Sequence, residues 1–159
     1  MKHIERHHST HTPAQIFDLV ADVERYPEFV PWVTAARVTR RRDSTIWTDL
    51  TMGTSLLRRQ FTTVASLDRP HRMEINSYDP MFERFEQIWT FEPTAEGGAD
   101  VEYRVDLRLK SHLLQVLIGA SFPDRAKTMV KAYMRRAQRV YGMPRTSLPY
   151  EQKSLTGSP

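Results

Sequence analysis

The chain is expected to take an α+β fold, a curved antiparallel sheet of six to seven strands around one long C-terminal helix, with short helices near the N-terminus. Three observations carry that expectation. From about residue 35 to 110 apolar side chains recur at every second position, as in strands with one face buried and one in water. Short turn-forming links separate these runs, so successive strands pair as an antiparallel meander. Residues 121 to 141 switch to spacings of three and four, the mark of an amphipathic helix. A lone helix covers a sheet's apolar face only if the sheet curls around it. A curled sheet seldom packs flush along the whole helix, and the gap is a natural cavity.

The elements follow in order. Residues 2 to 10 alternate weakly and read as an edge strand. Thr12-Pro13-Ala14-Gln15 reads as a helix start: threonine caps, proline occupies the first turn and glutamine closes a capping box. Ile16, Phe17, Leu19, Val20 and Val23 give that helix its apolar face, and it must end before Pro27. Tyr26-Pro27-Glu28-Phe29-Val30-Pro31-Trp32 is then expected to be neither helix nor strand, because each proline removes a donor and restrains the residue before it. It is nevertheless too apolar for an ordinary solvated loop, so it should wrap over the core or a pocket mouth.

In the meander, Ile46, Thr48, Leu50 and Met52 share a face, as do Phe61, Thr63, Ala65 and Leu67. Met73, Ile75 and Ser77 follow, then Phe85, Gln87, Trp89 and Phe91, and last Val101, Tyr103, Val105, Leu107 and Leu109. Arg42-Asp43-Ser44, Gly53-Thr54, Asp68-Arg69-Pro70, Asp79-Pro80 and Glu96-Gly97-Gly98-Ala99-Asp100 supply the turns. Ser121 is expected to cap the long helix, whose buried stripe is Phe122, Ala126, Met129, Val130, Tyr133, Ala137, Val140 and Tyr141. Gly142 and Pro144 stop it. The domain is thus expected over 1–142, with a flexible tail over 143–159.

At 159 residues, 40% hydrophobic and 26% charged, the chain has the size and composition of one globular domain with a real core. It has no cysteine, which excludes disulfides, thiolate nucleophiles and cysteine-bound metals. The N-terminus has no apolar core region of a secretory signal, and no run of eighteen apolar residues spans a membrane. A cytoplasmic location is expected, peripheral on the inner membrane as an extension of it. The formal charge of +4 favours anionic partners without choosing among them.

The run from Phe17 to Trp32 (FDLVADVERYPEFVPW) resembles the coenzyme Q-binding proteins of the START-like superfamily, which also includes polyketide cyclases. Leu109-Lys110-Ser111-His112-Leu113-Leu114 matches the junction before the long helix, and Arg125-Ala126 and Arg136-Ala137 match that helix near its two ends. The resemblance covers about residues 2 to 142. It implies a helix-grip fold with a hydrophobic tunnel for ubiquinone or another polyisoprenoid lipid. Ubiquinone would be a bound ligand, not a redox cofactor, and no cofactor or catalysis is implied. The role implied is support of respiratory electron transport or quinone biosynthesis. Some bacterial relatives are instead toxins that block association of ribosomal subunits, so a ribosome is the alternative partner. A polyketide cyclase-like enzyme is the third reading, and no DNA partner is expected.

The residues themselves leave several roles open. Leu50, Met52, Phe61, Phe85, Trp89 and Phe91 from the strands, with Met129 and Tyr133 from the helix, either line a tunnel or fill the core. Gln87, polar in an apolar row, either pairs within the core or meets a quinone carbonyl. Tyr26, Phe29, Val30 and Trp32 either close one end of the cavity or pack the first helix onto the sheet. Leu113, Leu114, Val116, Leu117 and Ile118, beside Lys110, are either a membrane-contact patch or a helix turn tucked under the sheet. The basic face of the long helix (Arg125, Lys127, Lys131, Arg135, Arg139) is a solvated face, an anionic-lipid contact or an RNA contact. His3, His7, His8 and His11 read as surface histidines. They make no metal motif, and no catalytic residue is assigned.

Overall fold

A computed structural model describes residues 1–53 and 58–143. Seven strands form a single antiparallel sheet: β1 (Lys2–Ser9), β2 (Val33–Arg42), β3 (Thr45–Gly53), β4 (Arg58–Asp68), β5 (Arg72–Asn76), β6 (Phe82–Pro93) and β7 (Ala99–Leu109). Their spatial order is β1-β7-β6-β5-β4-β3-β2, a six-strand meander with the first strand returned to its far edge. Three α-helices accompany the sheet: α1 (Pro13–Ala21), α2 (His112–Gly119) and α3 (Phe122–Tyr141). The expected tail lies outside the described residues except for Met143, as does the Gly53–Thr54 turn except for Gly53.

The start of α1 is the expected capping box. Thr12 Oγ1 accepts from the Gln15 amide at 3.2 Å, and Gln15 Oε1 accepts from the Thr12 amide at 3.0 Å. The segment after it differs from expectation. Val23–Glu28 forms a 3-10 helix that contains Pro27. A tight turn accommodates proline because its fixed φ suits the geometry and neighbours close the turns. The Arg25 amide donates to Asp22 O at 3.1 Å, while the Phe29 and Val30 amides both donate to Tyr26 O, at 3.1 and 2.7 Å. Only the stretch from Phe29 to Trp32 is irregular.

Three other expectations are corrected. Ser121 does not cap α3 through its side chain: its backbone is already helical, and its Oγ donates to Ile118 O at 3.3 Å while accepting from Arg125 Nε at 2.9 Å. The reason is that α2 runs almost directly into α3, so the junction has little extended chain on which a cap can form. The buried stripe of α3 also ends early, with Val140 and Tyr141 exposed and Met134 buried instead. Beyond α3, His11 proves to be buried rather than superficial. Its Nε2 donates to the Gly142 carbonyl at 2.8 Å and ties the end of α3 to the start of α1.

The concave face of the sheet divides in two. Under α1 and α3 it is solid: Trp89 and Phe91 lie stacked at 6.3 Å, Phe17 meets Phe91 edge-on at 5.7 Å, and Tyr103 lies 4.6 Å from Trp89. Toward β3 and β4 the packing loosens. Trp89 is 1% exposed, so truncating it leaves a void the neighbours cannot fill. Trp89→Ala should therefore cost about 3–5 kcal/mol, read from the urea unfolding midpoint, and a variant with an unchanged midpoint would contradict the packing described.

Candidate functional site

The looser half of the concave face encloses a cavity. Its floor comes from alternating positions of the meander: Thr48, Leu50 and Met52 on β3, Phe61, Thr63 and Ala65 on β4, Met73 and Ile75 on β5, and Phe85 and Gln87 on β6. Its roof comes from Val23, Tyr26 and Val30 of the connection after α1 and from Met129 and Tyr133 of α3, with Val33 at one side. The free space is about 50 Å³, room for a few water molecules at about 10–15 Å³ each. A larger occupant requires the lining to move. Three of the lining side chains are methionines, flexible enough to do so.

The roof is held up by aromatic packing. Tyr133 meets Tyr26 at 5.4 Å, Phe29 at 5.2 Å and Trp89 at 5.0 Å, each close to edge-on, so that α3 is spaced from the sheet by rings. The Tyr26 hydroxyl donates to the Val20 carbonyl and faces that of Tyr133. Burial pushes the phenols of Tyr26, Tyr103 and Tyr133 up, so all three stay protonated. With the two roof hydroxyls engaged by protein, Thr48, Thr63 and Gln87 are the polar groups left for a ligand. Among the described residues the lining holds no carboxylate, histidine, lysine or arginine.

The connection from Tyr26 to Trp32 acts as a strap across α3, fastened twice. Arg136 donates to Glu28 at 2.6 Å and lies 5.2 Å over the Phe29 ring. Arg125 lies 5.0 Å over the Trp32 ring. These arginines belong to the two Arg-Ala pairs that carry part of the resemblance. Trp32 holds a left-handed backbone (φ 65°), unusual for a bulky residue, and its carbonyl accepts from the Gly53 amide at 2.9 Å. Glu28 is held below the ordinary carboxylate range, first by its hydrogen bond from Arg25 and then by that from Arg136.

The structure places the sequence-derived candidates in three groups. Tyr26, Val30, Leu50, Met52, Phe61, Phe85, Gln87, Met129 and Tyr133 line the cavity. Phe29, Trp32, Trp89 and Phe91 do not: the first two lie under the arginine clamps, and the last two belong to the solid half of the core. Of the surface candidates, Leu113, Leu117, Lys110, Lys131, Arg135 and Arg139 are exposed, whereas Leu114 is partly buried against the core. Sequence reasoning did not single out Thr48 and Thr63 as cavity residues. Their signal was their register, in phase with Leu50 and Phe61, and the two are directly paired across β3 and β4.

A seven-stranded antiparallel sheet curled about a C-terminal helix, with an apolar cavity between them, is the helix-grip architecture of the START-like proteins. The chain belongs to the family described as polyketide cyclase / dehydrase and lipid transport, which matches residues 9–134. It is 33% identical over 141 residues to a ribosome association toxin of Pseudomonas aeruginosa, covering 88% of this chain and 98% of that protein. A mitochondrial coenzyme Q-binding protein homolog of Xenopus laevis is 29% identical over 132 residues, which are 80% of this chain and 54% of that one. Among solved structures, an 18 kDa protein of Caulobacter crescentus is 29% identical with a TM-score of 0.72, covering 90% of this chain and 99% of that one. A START superfamily protein of Mycobacterium smegmatis shares the fold at 16% identity and a TM-score of 0.72, over 87% and 97% of the two chains.

The strap has a pH signature. A carboxylate whose folded-state pKa is depressed contributes stability above its ordinary range, and that contribution is lost as pH falls through the folded value. Urea midpoints should therefore drop on acidification below the ordinary glutamate range, with part of the drop absent in Glu28→Gln. A second consequence concerns the phenols. In an alkaline absorbance titration Tyr26, Tyr103 and Tyr133 should ionise only as the protein unfolds.

Proposed function

We propose that this protein binds one ubiquinone-type or related isoprenoid lipid in the cavity, without transforming it. The observation that carries the reading is the lining: almost wholly apolar, rich in methionine, with Thr48, Thr63 and Gln87 as sparse polar groups suited to a ring carbonyl. A lining without carboxylate or histidine offers no general acid–base pair, which favours holding a ligand over cyclising one. The family's description includes lipid transport, and the Xenopus relative is named for coenzyme Q binding. The ligand would enter by parting the strap from β3 and displacing Met52 and Met129. Delivery to respiratory electron transport or to quinone biosynthesis would be the use of such a carrier.

Protein purified from a quinone-producing host should yield quinone on solvent extraction and mass spectrometry. Repeated extracts with neither quinone nor isoprenoid would end the proposal. Met129→Trp should fill the cavity and cut bound lipid at least tenfold, with little change in the unfolding midpoint. Gln87→Leu should keep the lipid but weaken it about two- to tenfold, the net worth of one hydrogen bond.

A second reading, contact with the ribosome, is favoured by the Pseudomonas relative, whose likeness extends over nearly its whole length. The surface offers two basic arrays for it. Lys131, Arg135 and Arg139 repeat every four residues along exposed α3, and Arg37 and Arg40 to Arg42 line the edge strand β2. There Arg40 lies 4.6 Å over the Trp47 ring. Cosedimentation with ribosomal subunits should then weaken steeply with salt and be lost in Arg135→Glu/Arg139→Glu. Retention of cosedimentation by that variant would count against the helix as the contact.

A further inference from the structure

Helix α2 is the least explained element of the fold. It is eight residues long, strongly apolar, and has no fully buried residue. Leu113, Val116 and Leu117, spaced as one helical stripe, are 68%, 59% and 64% exposed. The opposite side of the helix, Leu114 and Ile118, is partly buried against the core, and Gln115 Oε1 accepts from the Leu109 amide at 2.9 Å. The stripe therefore faces outward by construction, since the helix is anchored by its other face.

The surroundings of the stripe indicate what covers it. The β5–β6 turn is tied to the head of α2 by the Lys110 amide, which donates to Met81 O at 3.0 Å. That turn carries Tyr78, the most exposed large hydrophobic side chain of the described residues at 82%. Lys110, two residues before α2, is exposed, and the sequence from Leu109 to Phe122 contains no acidic residue. Of the nearby acids, Asp79 Oδ1 accepts from the Met81 amide at 3.0 Å, and Glu83, which shares a surface pocket with Lys110 and His112, lies 3.7 Å from Arg108. An aliphatic stripe, an amphipathic aromatic and a cation on one end of a protein suit the headgroup boundary of an anionic bilayer. A second copy of the chain suits it less, because four side chains are far short of the roughly 800 Å² per partner of a standard interface.

The position adds a reason. Strand β3 ends, and β4 and β6 begin, at the same end of the sheet as α2, and these ends supply Met52, Phe61 and Phe85 to the cavity. We infer that α2, Tyr78 and Lys110 form a docking surface for an anionic lipid bilayer, which sets the cavity's aromatic end against the membrane. The inference deepens the lipid reading of the cavity and rests on it for its purpose.

Flotation with vesicles of phosphatidylglycerol and phosphatidylcholine, against vesicles of phosphatidylcholine alone, tests the surface directly. The protein should float with the anionic vesicles. Leu113→Glu/Leu117→Glu should reduce that fraction at least tenfold, and Lys110→Glu should reduce it on anionic vesicles only. Both variants alter exposed side chains and should keep the wild-type unfolding midpoint. The quinone content of purified Leu113→Glu/Leu117→Glu should equal that of the wild type, which separates the surface from the cavity. Flotation of quinone-free protein would leave docking intact while removing the cavity's proposed ligand. Failure of the wild type to float, or equal flotation by the double variant, would overturn the docking surface. So would a dimeric mass in light scattering that the same substitutions abolish, since a second copy would then be the occupant.

Discussion

Tyr133 determines how far α3 stands from the sheet. Its ring touches Tyr26, Phe29 and Trp89 nearly edge-on, so one side chain joins the strap, the long helix and the centre of the sheet. A smaller residue there would let α3 settle onto β3 and β4 and close the gap beside it. Rings make good spacers because they are rigid, bury much area and prefer edge-to-face contact over collapse. The cavity is thus a consequence of filling the half of the core under α1 and α3 with Phe17, Trp89 and Phe91, while the other half mixes methionine, threonine and glutamine with Phe61 and Phe85.

The strap depends on the same helix. Arg125 and Arg136 lie eleven residues apart on α3, about three turns, and each covers one aromatic ring of the connection. Arg136 also bonds Glu28, which Arg25 shares, so the connection is fastened by charge as well as by ring faces. These contacts are solvent-facing and individually modest. A fastening of that strength holds the strap in place at rest yet is not prohibitive to open. The left-handed backbone at Trp32 marks the point where the strap turns into β2.

The molecule thereby separates its chemistries by location. Apolar ligand capacity is internal, between the strap and β3 to β6. Exposed apolar side chains gather on α2 and Tyr78 at one end, and separately at the C-terminal end of α3. Positive charge is distributed along the outer face of α3 and the edge strand β2. Relatives named for coenzyme Q binding and for ribosome association are both matched over most of this chain, and these surfaces do not overlap. The cavity and the basic arrays occupy different parts of the scaffold, so the two proposed roles do not compete for one surface.

Much of this was legible in the residues. Period-two alternation from Ile46 to Leu109 determined the strands and which side of each faces inward, because side chains alternate across a strand whatever its neighbours do. Thr12 and Gln15 determined the start of α1, since a capping box is a local device. What tertiary structure alone decided were matters of distance. Trp89 and Gln87 share a face two residues apart, yet one is sealed in the solid core and the other lines a cavity. Pro27 sits within a 3-10 helix because flanking amides found carbonyls in the turn. His11, one of four clustered histidines, is buried because Gly142 lies beside it, 131 residues on. Periodicity reports which way a side chain points, whereas whether it meets a ring, a void or water depends on where α3 comes to rest.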